Sequence, residues 1–527
     1  MFCCKCAKIV VEYGAVIYRG RGEWLSLKDK KEWITGLYAL FILFNIVLSP
    51  SLMAVSGYAL IMGLIIIYHI KWEKSSELLY YFVLLFSVMD FAFNLPVSGR
   101  FNIYYLHIAT FILTLTMAVS LIKRRPLPKL KDIYSNKYVL FLIIFIVYML
   151  LSLSWAENRG MAVKYIVNYA VMICFMLAVY TFNPNLDKAK ETLKVLLYST
   201  ILVLILGTLE MMAIRMPVRN IFSDSGWYVE GPHYLQTIPT VFFYNPNNYG
   251  VFLVLVMSFV LPFMAYNRSK GQTRLFWVMQ LVALLNLIFC TSRTSYIVML
   301  LTVVGFIVFF MFTREWYKFR RAVAVGMATL IVFYSLSFMP MMSIYYGKFN
   351  DTPIVNMLSI NRKMVNNDQS IAQFGEEGST SERWTTIVDI VNGVVKKGHL
   401  QGFGVNNTAT YLKEIGNTHG IVNPHSLWFE VLGDFGVGIF LYFIFIYLSL
   451  LWDLLKVYRE SIKNGDYGLT SYLTVSLLGA LGGFILSAFA PSSVISFPQM
   501  WLLYGLAASV ILRRREFLKN PAKTPLE

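Results

Sequence analysis

Apolar stretches long enough to cross a bilayer recur along the whole chain, separated by short polar connections. A hydrocarbon core about 30 Å thick needs roughly 20 residues of helix. Fourteen segments come near that length: 34–53, 54–70, 78–95, 101–122, 138–154, 161–181, 195–214, 239–265, 275–291, 295–312, 322–343, 427–452, 468–489 and 497–512. The runs are continuous rather than alternating, which predicts helices and not a transmembrane barrel. The expected fold class is an all-α polytopic membrane protein with twelve to fourteen spans. Two longer polar intervals break the pattern, 215–238 and 344–424. They divide the chain into an N-terminal segment 1–33, a first bundle of about eleven spans at 34–343, a loop domain at 344–424, three further spans at 425–512 and a tail at 513–527.

The loop domain is too long for a bare connector and should carry structure of its own. Residues 381–397 read as an amphipathic helix, with Trp384, Ile387, Val388, Val391 and Val395 at helical spacing. Gly398 is its expected end, and Gly402-Phe403-Gly404 a turn beyond it. Such a helix could lie as a lid across an opening. After the loop, Asn423-Pro424-His425 leads into the next apolar run. Asn suits an N-cap and Pro the first helical position, which would put His425 in the first turn of a helix entering the membrane.

Composition agrees with the pattern. The chain is 57% hydrophobic and 14% charged, against about 25% charged in soluble domains. A net charge of +17 could suggest nucleic acid, but the basic residues sit in short clusters between apolar runs. Most of the 46 Lys and Arg fall in alternate connections, including Lys123-Arg124-Arg125, Arg314 to Arg321, Lys456 to Lys463 and Arg513 to Arg515. That is the positive-inside asymmetry of a membrane protein. It predicts cytoplasmic termini and places the 215–238 loop, the Ser292-Arg293 turn, 344–424 and His425 on the external face. No nucleic-acid partner is expected; membrane lipids are. Cys3, Cys4 and Cys6 crowd the N-terminus without a fourth ligand, so free thiols are expected and no metal site. The polar first residues predict no cleavable signal peptide.

Three residues stand out as chemistry. Arg293, between two apolar runs, is either a snorkelling loop arginine or an anion clamp, since a guanidinium can grip two phosphate oxygens at once. Arg383 opens the loop helix. His425 lies at a helix N-terminus, which disfavours the imidazolium and favours a bound anion. Glu430 and Asp434 share a helix face; they either pair with external arginines or orient His425 or an acceptor. Asn247, in the polar break 243–250, and Arg215 are further supporting candidates. No cofactor motif is present.

Taken together, Cys290-Thr291-Ser292-Arg293-Thr294-Ser295, Ser381-Glu382-Arg383-Trp384 through Gly402-Phe403-Gly404, and Asn423-Pro424-His425-Ser426-Leu427-Trp428-Phe429-Glu430 with Gly433 and Gly436 resemble the O-antigen ligase and polymerase family of bacterial envelope proteins. Ser426 stands where that family usually has Asn, and His399-Leu400 where it has His-Pro. The resemblance implies a C-type membrane glycosyltransferase fold. It also implies an inverting, metal-independent transfer from a polyprenyl-diphosphate-linked oligosaccharide to a glycan or lipid acceptor, in the bacterial cytoplasmic membrane. Arg293 and Arg383 would bind the donor pyrophosphate, and His425 would be the general base or orient the acceptor hydroxyl. A flippase and a chain-length regulator are the implied protein partners. Polymerisation of lipid-linked repeats is the favoured activity. Ligation to lipid A core or another acceptor is the alternative, and a lipid-linked oligosaccharide flippase the rival from another class. No internal repeat of the transporter kind is apparent.

Overall fold

The computed structural model describes residues 72–89, 94–98, 101–124, 136–350 and 379–519, apart from Pro217, Arg268, Tyr467 and 492–495. The segments expected at 34–53 and 54–70, and Cys3, Cys4 and Cys6, lie outside the described residues.

The architecture is helical and multi-pass. In chain order the helices are α1 (Trp72–Val88), α2 (Tyr105–Arg124), α3 (Lys137–Ser152), α4 (Arg159–Phe182), α5 (Leu186–Met211), α6 (Pro246–Tyr266), α7 (Lys270–Phe289), α8 (Arg293–Phe312) and α9 (Trp316–Ser337). They continue with α10 (Ser379–Val391), α11 (Thr408–Ile415), α12 (Leu427–Lys463), α13 (Leu469–Ser487) and α14 (Pro498–Leu512). Among the described residues, eight are long and apolar enough to cross a bilayer, and four shorter apolar helices accompany them. One departure from an all-helical chain is a small antiparallel hairpin, β1 (Asn94–Ser98) with β2 (Phe101–Tyr104), in which Asn94 faces Tyr104 and Leu95 faces Ile103. It takes the last residues of the 78–95 run and the first of the 101–122 run out of helix.

α6 is apolar on every side and almost wholly buried, the expected place for such a helix. It packs against α13, α7, α9 and α8. Its start is later than the apolar run suggests. Residues 239–245 form a turn in which Val241 has φ +51°, and Asn245 caps the helix by accepting from the Asn248 N–H, with Pro246 at the first position. The buried Glu210 carboxylate, at the end of α5, accepts from the Thr240 and Val241 N–H groups at 2.7 and 2.8 Å. Buried backbone donors need such partners. Glu210→Ala is expected to cost about 2–4 kcal/mol by leaving both unpaired; thermal unfolding in detergent checks this.

The polar connections gather at two opposite ends. At one, Lys137 pairs with Asp453 at 2.8 Å, Lys318 with Glu315 at 2.7 Å, Tyr458 donates to Glu315 at 2.7 Å, and Arg513 donates to the Tyr180 carbonyl at 2.7 Å. At the other, Tyr148 donates to the Gln401 carbonyl at 2.9 Å and the Asn158 N–H to Asn407 Oδ1 at 2.7 Å. This is the sorting that alternate spans require.

The run expected at 427–452 as one straight span is bent. Gly436 has φ 72° and ψ −176°, outside helical space. The Trp428 ring meets those of Phe443 and Tyr447 at 5.9 and 5.3 Å. In a straight helix, residues 15 and 19 apart would be separated by roughly 22 and 28 Å along the axis. α12 is therefore a short arm, Leu427–Phe435, folded back at Gly436 on a long one. The short arm is largely buried inside protein.

The vertex is filled by the loop domain. The Phe403 and Gly404 N–H groups donate to the Gly433 and Asp434 carbonyls at 2.8 and 3.0 Å, and the Val437 N–H to the Leu400 carbonyl at 3.0 Å. Gly402, with φ +78°, packs so closely on the bend that a Cβ there would lie 2.5 Å from the Gly436 nitrogen.

Candidate active site

Arg293 is the first residue of α8. Thr291 just before it has φ +52°, turning the chain sharply out of α7, and the Ser292 and Ser295 hydroxyls bond each other at 2.9 Å. Gly250 of α6 lets these serines approach: a Cβ on it would lie 2.6 Å from Ser295 Oγ. Asn247, in the first turn of α6, is half-buried on the same helix end.

Arg383 lies in α10, which starts at Ser379 and continues past Val391 as a π turn, Asn392–Lys396, before Gly398 at φ +81°. The helix is where the sequence puts it, but its buried stripe is rotated. Trp384 and Val395 are 49% and 52% exposed, whereas Ile390 and Val394 are buried against Leu412 and Leu432. Arg383 is seven residues before Ile390, close to two full turns, so it shares this inward face. Burial, and then the like charge of Arg293, lower its pKa, with Glu382 acting the other way. The two guanidiniums thus face one another's field. Among the described residues neither makes a salt bridge, unlike Arg219, which pairs with Asp224 at 2.9 Å.

His425 is not in the first turn of a helix. The helix begins at Leu427, with Ser426 as the flanking residue. Asn423 uses its side chain to accept from the His425 N–H at 2.9 Å, a local turn that competes with helix capping. His425 itself takes φ +49°, which is uncommon outside glycine and a mark of functional strain. Its imidazole bonds the backbone carbonyls of Ala490 and Pro491, just beyond α13. Nδ1 is buried with no hydrogen-bond partner among the described residues. Nε2 is then the nitrogen at those carbonyls and carries the proton, which leaves Nδ1 with a free lone pair. Burial, and then the Arg383 charge, press the His425 pKa down to about 4 against the pull of the two carbonyls. The ring is neutral at pH 7.

The structure therefore gathers Arg293, Arg383 and His425 around one spot at the loop end of the bundle. It gives two of the other candidates, Asp434 and Arg215, structural work. Asp434 accepts from the Asn406 N–H at 2.6 Å, the Thr408 N–H at 3.2 Å and the Thr408 hydroxyl at 2.6 Å. It fastens residues 406–408 to the bend rather than orienting His425 or meeting an arginine. Arg215 donates to the Ile238 and Leu235 carbonyls at 2.9 and 2.6 Å and lies 4.4 Å from the centre of the Tyr228 ring; it closes the 215–238 loop. Glu430 is buried in the short arm. Two participants escaped the sequence reading: the 488–491 turn that holds the imidazole, and Glu210. A backbone carbonyl leaves no trace in residue identity, and one acid at the end of an apolar run forms no motif.

Two arginines near a neutral histidine can bind a doubly charged anion, and the histidine's free Nδ1 can accept a proton beside it. Residues 278–446, the stretch holding all three, match the family model described as O-Antigen ligase. The chain is also 24% identical over 391 residues to the Teichuronic acid biosynthesis protein TuaE of Bacillus subtilis (strain 168), covering 73% of this chain and 73% of that protein. These likenesses support the O-antigen ligase and polymerase family for this multi-pass membrane protein, and with it a polysaccharide polymerase or ligase role in cell-surface glycan synthesis.

Proposed function

We propose that this protein is an inverting glycosyltransferase that joins polyprenyl-diphosphate-linked repeat units on the external face of the bacterial cytoplasmic membrane. The observation that carries the reading is the convergence of two arginines without salt-bridge partners on His425, whose Nδ1 is free to accept a proton. In the reaction an acceptor sugar hydroxyl gives its proton to Nδ1. Its oxygen attacks the anomeric carbon of the donor glycan as the bond from that carbon to the diphosphate oxygen breaks. Polyprenyl diphosphate leaves, and Arg293 and Arg383 take up the charge it gains. Preorganised charge of this kind is usually the largest single source of rate, and a diphosphate leaving group needs charge more than a proton. Polymerisation is favoured by the large loop domain and the number of spans; the relative's role in teichuronic acid biosynthesis supports construction of a surface polysaccharide.

Reconstitution with a lipid-linked repeat unit tests the proposal. A ladder of products is expected. A single shifted acceptor band would mean a ligase, and donor crossing the bilayer unchanged a flippase. Arg293→Lys is expected to lose transfer by roughly a hundredfold, because a point charge cannot reproduce a bidentate grip worth about 3 kcal/mol. Full turnover in that variant would return Arg293 to a snorkelling role. EDTA is expected to leave the rate unchanged.

A further inference from the structure

The short arm of α12 ends, beside His425, in a second feature that the reaction above leaves unused. Its nine helical residues, Leu427 to Phe435, begin immediately after Ser426. The Leu427 N–H donates to the Ala488 carbonyl and the Glu430 N–H to the Ser426 carbonyl. The Trp428 and Phe429 N–H groups have no acceptor among the described residues. Ser426 occupies the N-cap position but makes no side-chain cap bond. It is only 1% exposed, and its Oγ is buried without a partner among the described residues. A buried hydroxyl left unpaired costs free energy, so this one is placed for something that arrives.

We infer that Ser426 and the N-terminus of the short arm form a third contact for the diphosphate of the lipid-linked donor, set beside Arg293 and Arg383. The chemistry points to an anion. A helix N-terminus presents N–H groups and partial positive charge. A serine hydroxyl can donate to a phosphate oxygen. The adjacent His425 lies close enough to Arg383 to feel its charge. Two guanidiniums reach about four phosphate oxygens between them; a diphosphate has more, and Ser426 with the Trp428 and Phe429 N–H groups supplies donors for the rest. The contact therefore recognises the diphosphate as distinct from a monophosphate. This inference rests on the donor class proposed above.

The test measures binding of polyprenyl diphosphate and polyprenyl monophosphate to the full-length protein in nanodiscs, alongside transfer kinetics. Ser426→Ala is expected to weaken diphosphate binding by roughly ten- to hundredfold while changing monophosphate binding little. It should raise KM for the lipid-linked repeat unit more than it lowers kcat. Ser426→Thr, which keeps the hydroxyl, should restore the preference. Equal loss on both lipids, or diphosphate preference intact in Ser426→Ala, would overturn the inference and leave the hydroxyl a structural one. If Ser426→Ala does not fold, the near-isosteric Ser426→Cys, a much weaker donor, is measured instead, with the same expectations. His425→Ala separates this inference from the reaction scheme. Full transfer in that variant would remove the base while the lipid preference still reports on Ser426.

Discussion

His425→Ala is expected to cripple transfer while donor binding survives. The imidazole is held from outside its own segment, by the carbonyls of Ala490 and Pro491, and its Nδ1 has no partner among the described residues. Removing it takes away the proton acceptor but neither guanidinium. A positioned general base contributes roughly 10²–10⁴ in rate, so kcat should fall by that much with donor affinity nearly constant. The pH profile sharpens the expectation. The folded-state pKa is depressed to about 4, so the free protein should keep kcat/KM as pH falls from 7 to 5 and lose it only as pH approaches 4. An ordinary histidine would lose it near 6.5. Arg383→Gln removes the second cause of the depression and should move that limb upward in pH. A profile that breaks near 6.5 in the unsubstituted protein, or full turnover in His425→Ala, would take His425 out of the chemistry.

Gly436→Ala is expected to prevent stable folding. The residue combines φ 72° with ψ −176°, a region open essentially to glycine alone and costing a substituted residue about 1–3 kcal/mol. A Cβ there would also lie 2.1 Å from the Leu400 carbonyl oxygen and 2.5 Å from the Gln401 carbonyl carbon. Both neighbours are backbone and cannot swing aside. The bend would have to open, releasing the bonds of Phe403, Gly404 and Val437 together. A loss of more than about 4 kcal/mol, the range reserved for a few named mechanisms, should appear as failure to recover monodisperse protein. Gly438→Ala two residues on, where no atom lies within 4 Å of the added carbon, is the matched control and should be nearly silent. Equal yields from the two variants would show that the bend is not fixed by its glycine.

Much of this was legible in the residues. Continuous apolar runs gave the spans, because a bilayer demands length before anything else. The three dispersed polar motifs gave Arg293, Arg383 and His425. The bend at Gly436 was not legible: Gly433, Gly436 and Gly438 within an apolar run read equally well as close helix packing. Asn423 was ambiguous for a related reason, since one side-chain oxygen can cap a helix or close a turn before it. The stripe of α10 was misread because its buried face carries Thr385, Thr386, Asp389 and Gly393, which an apolar pattern does not count. Asp434 looked like site chemistry because an acid near a histidine suggests a pair. Its oxygens were already taken by backbone 26 and 28 residues away.

The grip of Ala490 and Pro491 on His425 has a consequence for biosynthesis. The carbonyls that fix the imidazole leave the ribosome after the histidine, and the Leu427 N–H likewise waits for Ala488. The loop residues Gln401 and Asn407 dock instead on partners about 250 residues earlier. A nascent chain can thus insert most of its helices while the His425 imidazole still lacks a fixed tautomer. Under the proposed scheme competence arrives as one of the last events of synthesis, and a prematurely terminated product is expected to enter the membrane inert.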